Sequence, residues 1–178
     1  MNLFRIFSAF IFLYSLVSCG SQNLDHYTST NPRLDLKNFF NGELIAFGIL
    51  QNREGVMTRR FTATIEASWE GDKGTLIEEF QFNDGEIQYR TWKLTDLGDN
   101  NYLGIAGDVI GEAQGSIVGS VFQWKYQLDV PYKNGMIAVN LDDWLYLVDD
   151  NHLINKTKLS KFGFKVGELT LIIEKIIK

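Results

Sequence analysis

The residues with the most chemical potential crowd into one stretch. VNLDDWLYLVDDNHLINKTKLSKFGF, Val139 to Phe164, places Asp142, Asp143, Asp149, Asp150 and His152 within eleven positions. Carboxylates and a histidine at that density could ligate a hard cation, act as general acid and base, or anchor the polar end of a ligand. The spacing does not suit a metal. An EF-hand-like loop needs ligands at alternate positions, a glycine bend and a terminal Glu, and this run does not supply them in register.

The stretch divides in two. Asp149-Asp150-Asn151 lies between apolar runs, where such residues close a hairpin by accepting bonds from their own backbone, and His152 belongs with that turn. Asp142 and Asp143 instead interrupt a strand whose faces are otherwise apolar: Ile137, Val139, Leu141, Leu145 and Leu147 on one, Met136, Ala138, Trp144, Tyr146 and Val148 on the other. Adjacent strand residues point to opposite faces, so one of the two carboxylates must point inward. A buried carboxylate is costly unless paired, and the strand-borne cations Arg59, Arg60 and Arg90, with Lys161 farther on, are the candidate partners. Three readings stay open: a structural ion pair, an anchor for a ligand head group built from Asp143 or Asp142 with Arg60, Arg90 and Trp144, or a catalytic carboxylate. No G-x-S-x-G, G-x-x-x-x-G-K-[ST], H-E-x-x-H or C-x-x-C occurs, and one of the two histidines, His26, falls in a polar segment. No catalytic residue, metal ligand or cofactor is assigned on this reading.

The elements that position these residues are strands. FTATIEASW alternates Phe61, Ala63, Ile65, Ala67 and Trp69 against polar neighbours, and VFQWKYQLDV sets Phe122, Trp124, Tyr126, Leu128 and Val130 on one face. Gly71 to Gly74, Asn83-Asp84-Gly85, the LGDNN run and Lys133-Asn134-Gly135 are turn signals between them. LDLKNFFNG spaces Leu36, Phe39 and Phe40 for one short helix ahead of the strands. Eight to ten antiparallel strands at meander spacing predict an all-β, single-domain, up-and-down barrel, because closure removes exposed edges; an open sandwich is the second choice.

GDVIGEAQGSIVG places Gly107, Gly111, Gly115 and Gly119 four apart. In a strand they would share one nearly bare face, which means either sharp bends or room for a ligand. Trp69, Trp92, Trp124 and Trp144 are expected in the core, where some could line a cavity.

The N-terminus, MNLFRIFSAFIFLYSLVSCGS, has Arg5, an apolar run from Ile6 to Val17 and then the single cysteine of the chain, Cys19. That is the layout of a signal peptide, and the run is shorter than the ~20 residues a spanning helix requires. LVSCG resembles the bacterial lipobox, which implies acylation of Cys19, a palmitate-type membrane anchor and cleavage after residue 18. Gly20 in place of an aspartate then points to the periplasmic face of an outer membrane. The expected divisions are residues 1–18 as signal peptide, 19–32 as a flexible lipidated tether and 33–178 as the barrel domain. The net charge of −5 over 178 residues argues against nucleic acid and against adhesion to anionic headgroups.

LDLKNFFNGEL, TRRFTATIE, GDVIGEAQG and above all DDWLYLVDDNHLINKTKLSKFGFKVGELTL resemble a family of bacterial lipoproteins classed as a domain of unknown function. The likeness covers nearly all of the mature chain and implies a lipocalin-like, calycin-type barrel in the cell envelope, with no assigned activity. Expectations for function are therefore a membrane-anchored module that binds or carries a lipid or other apolar small molecule, a structural or accessory lipoprotein with a filled barrel acting through a protein partner, or an enzyme acting on lipid.

Overall fold

Tight turns, each with its own backbone chemistry, set the topology. The structure is a computed structural model that describes residues 22–177. Its ten strands are β1 Gly42–Asn52, β2 Met57–Glu70, β3 Lys73–Phe82, β4 Ile87–Gly98, β5 Asn101–Ile105, β6 Ala113–Val118, β7 Val121–Tyr132, β8 Gly135–Leu147, β9 His152–Lys161 and β10 Phe164–Lys175. Each pairs antiparallel with its sequence neighbour, and β1 pairs with β10 from Leu44↔Lys175 to Asn52↔Gly167, so the meander closes into a barrel. Asp99 and Asn100 at φ 50° and 61° and Gly85 at φ 89° supply the left-handed residues that the β4–β5 and β3–β4 turns need. The described residues therefore contain the whole sheet with no open edge, and the all-β up-and-down barrel expected from the sequence is the observed one.

Period-two alternation decides which side chains face in. Phe61, Ala63, Ile65 and Ala67 of β2 are buried, while Thr62, Thr64, Glu66 and Ser68 between them are exposed. The interior is packed with aromatic rings: Trp92 lies edge-on to Trp124 at 5.7 Å between centroids and to Tyr126 at 5.3 Å. Three inward glycines make room for them. Gly48 is opposite Phe61, Gly74 opposite Trp69 and Gly115 opposite Trp124, and each partner ring covers the place where a Cβ would stand.

One end is plugged. A single helical turn, α1 Leu36–Phe39, capped by Asp35, buries Leu36 and Phe39 and, with Phe40, stops the barrel at the end where β1 begins. Residues 22–34 run along the outside near this end and form a strap. Residues 22–32 were expected to be a flexible coil; instead a 3₁₀ turn, Leu24–Tyr27, sets Tyr27 against Trp144 and Tyr146 at 6.2 and 6.0 Å between centroids. The Thr30 hydroxyl accepts from the backbone N–H of Ser120, and Leu34 N–H donates to the Gly119 carbonyl. Buried aromatic contact, which local polarity does not report, outweighs the composition of the segment.

The glycine series also departs from expectation. Only Ala113–Val118 is strand. Gly107 and Gly111 lie in the β5–β6 connection, and Gly119, at φ 57°, turns the chain beneath the strap. The bare face is not ligand space: the Trp124 ring fills the positions above both Gly104 and Gly115.

Candidate functional site

A cavity of about 120 Å³ lies inside the barrel above the plug. Leu36, Phe40, Ala63, Ile65, Leu76 and Leu94 line its lower part, and Glu78, Arg90, Tyr126, Asp143 and Asn155 are its polar lining. These groups come from different elements by strict register. Glu78 of β3 stands opposite Arg90 of β4, Tyr126 and Asp143 come from β7 and β8, and Asn155 from β9.

Arg90 is committed through two of its three nitrogens. Its Nε donates to both Asp108 oxygens at 3.1 and 3.0 Å and its Nη2 to Oδ2 at 2.6 Å, a bidentate pair that ties β4 to the β5–β6 connection. Its Nη1 is 3.8 Å from Glu78 Oε2, too long for a hydrogen bond. The Tyr126 hydroxyl donates to Asp143 Oδ2 at 3.0 Å. Glu78 Oε2 and Asp143 Oδ1 are both buried and accept no hydrogen bond.

Burial shifts these groups. It pushes the Glu78 carboxyl up to about 7, partly offset by Arg90 and reinforced by Asp108 and Asp143. It pushes Asp143 up to about 6, against the lowering effect of Thr157, Tyr126, Arg90 and Asn155. Tyr126 is driven well above its ordinary value by burial and by the Asp143 charge. Burial alone would lower Arg90, but Asp108 and Glu78 hold its guanidinium firmly charged.

Of the residues proposed from sequence, Asp143 and Arg90 meet at the cavity and the others do not. Asp142 faces outward and accepts from Gln123 Nε2 at 2.6 Å. Trp144 is buried, but on the outer wall under Tyr27 and not in the cavity. Arg60 is exposed beside an outer trough near Phe47 and Gly48. Arg59 is at the unplugged end of β2, its guanidinium 3.6 Å from the Phe82 ring centre and paired with Asp84 and Glu86. Lys161 donates to the Ala138 carbonyl at 3.0 Å. Asp149 behaves as a turn former, accepting from the N–H groups of Asn151 and His152 and from the His152 ring. Cys19 lies outside the described residues.

Sequence reasoning missed Glu78, Asp108 and Tyr126 as site residues. The signal for Glu78 was present: counting back from the Asn83-Asp84-Gly85 turn sets it opposite Arg90. Asp108 had no such signal, because it sits in an irregular connection.

No curated protein matches the chain. Among solved structures, the S-type phycobiliprotein lyase CPES from Guillardia theta is similar at a TM-score of 0.59 and 7% identity, over 89% of this chain and all of that one. A de novo designed fluorescence-activating β-barrel is similar at a TM-score of 0.45 and 11% identity, over 80% of this chain and 99% of that one. The first similarity is one of fold alone. The model of the family described as "Protein of unknown function (DUF3833)" matches residues 13–175, and the chain belongs to that family.

Proposed function

We propose that this DUF3833 protein is an envelope lipoprotein whose barrel binds an apolar small molecule, or the end of a lipid chain, in the cavity between α1 and the Glu78–Arg90–Asp143 cluster. The observation that carries this reading is the cavity itself, apolar walls with a few converging polar groups of shifted pKa, which is the usual make-up of a small-molecule site. At about 120 Å³ it approaches the ~150 Å³ apolar cavity known to bind benzene, so one ring or a short chain fits, and a longer body would extend toward the unplugged end. The barrel fold shared with the phycobiliprotein lyase suits this use, but nothing of that protein's activity is carried over. Acylation of Cys19 and placement at the outer membrane rest on the lipobox-like LVSCG.

Native mass spectrometry of residues 22–178, purified without detergent, tests the binding. A co-purified small-molecule adduct that is lost on Asp143→Asn supports it, and a consistently empty mass that takes up no apolar probe refutes it. Labelling of cells with an alkyne palmitate analogue tests the anchor: label should enter the wild type and vanish in Cys19→Ala.

A second reading has its own observation. Trp124 occupies the space over Gly104 and Gly115, as expected of a barrel filled by its own side chains that acts through its outer surface.

A further inference from the structure

The polar end of the cavity carries information about what it takes. Three carboxylates, Glu78, Asp108 and Asp143, gather around one guanidinium, of which Asp108 takes the Nε and Nη2 donors and Nη1 is left 3.8 Å from Glu78 Oε2. The two acceptors left over, Glu78 Oε2 and Asp143 Oδ1, accept no hydrogen bond of good geometry, although Thr157 and Asn155 lie near enough to Asp143 to favour its charged form. The other titratable group facing them, Tyr126, spends its hydroxyl proton on Asp143 Oδ2. A carboxylate head group would add a fourth anion to a cluster that holds one guanidinium, whose remaining Nη1 already faces Glu78. A positively charged nitrogen would give two buried acceptors their missing donors and balance the charge count.

We infer that the barrel takes an organic cation, a protonated amine on an apolar body, with the ammonium between Glu78 and Asp143 and the body against Leu76, Leu94 and Trp92. This rests on the binding reading above and narrows it, since it excludes free fatty acids as the preferred ligand. Burial of the two carboxyls without a cation favours their protonated forms, and an ammonium would restore the charged ones.

Benzylamine, benzyl alcohol and benzoate test it, being one ring each with a cationic, neutral or anionic end. Residues 22–178, which contain the entire closed sheet, are titrated with each, and binding is read from the indole N–H shifts of Trp92 and Trp124, both in the cavity wall. Benzylamine is expected to bind at least about tenfold more tightly than benzyl alcohol at about pH 8, with benzoate weakest. Asp143→Asn and Glu78→Gln should each bring that ratio down toward one. Equal binding of the amine and the alcohol, or tighter binding of benzoate, overturns the cation preference and leaves the binding module standing. Shifts from none of the three overturn both. Circular dichroism on each variant separates lost selectivity from lost fold.

Discussion

Glu78 and Asp143 are held in a state that the unfolded chain would not choose. A carboxyl whose folded pKa is raised keeps a proton in the native state after the unfolded chain has released it. Stability therefore falls as pH rises from the unfolded value to the folded one, and the loss is complete above it. For Glu78 that window runs from 4.5 to about 7 and for Asp143 from 3.8 to about 6, worth at most on the order of 3 kcal/mol each. The paired acids Asp84, Glu86 and Asp96 act in the opposite sense, in acid below this window. Urea unfolding should thus show stability falling by a few kcal/mol between about pH 4 and pH 7, with Glu78→Gln or Asp143→Asn flattening the slope and stabilising the barrel at about pH 8. A flat wild-type profile would contradict the burial argument. Arg90→Met leaves the carboxylates uncompensated and should cost about 3–5 kcal/mol by the same measurement, more at alkaline than at acid pH. Asp143 was legible in the sequence because a charge interrupting an apolar strand face has to be accommodated. Trp144 was misread because alternation places it on the outer face, and nothing in its neighbours announces that Tyr27 covers it.

At the scale of elements, the strands and most turns were legible because hairpin chemistry is local, and the strap and the β5–β6 connection were not, because tertiary contact decides them. The glycines show the difference. Gly115 and Gly107 look equivalent in GDVIGEAQG, yet a Cβ at Gly115 would stand 2.4 Å from the Trp124 ring and 2.6 Å from the Gln123 carbonyl oxygen, whereas at Gly107 it meets nothing within 4 Å. Gly115→Ala should therefore destabilise by about 1–3 kcal/mol through overpacking, because backbone cannot give way as a flexible side chain does. Gly107→Ala should stay within about 0.5 kcal/mol of wild type. Thermal unfolding of the pair checks this, and equal effects would remove the account of glycine as space for tryptophan.

The whole molecule is polar in the geometric sense, with unlike ends. α1 plugs one end, and the strap docks on the outer wall nearby, where Gln22 Nε2 donates to the Tyr146 hydroxyl. The other end carries exposed apolar side chains on every hairpin or loop: Met57, Ile87, Ile110, Tyr132, Phe162 and Phe164, the last two at 84% and 76% exposure. Three residues of chain reach at most about 10 Å, so an acylated Cys19 would hold the bilayer close to Gln22. Strands of 10–14 residues, tilted as barrel strands are, make the barrel roughly 30 Å tall. The unplugged end would then face away from a membrane reached through Cys19. With the lipidated chain in vesicles containing headgroup spin-labelled lipid, relaxation enhancement should be strong at Val148 and Leu97, beside the plug, and weak at Phe162 and Phe164. A reversed pattern would mean that the apolar rim inserts into the bilayer and that the strap releases the barrel when anchored. Phe162→Ser with Phe164→Ser separates these cases further. Side chains so exposed contribute little to folding, so the unfolding midpoint should hardly move. Vesicle retention should be equally unaffected if the rim points outward, and should fall if it is buried in lipid.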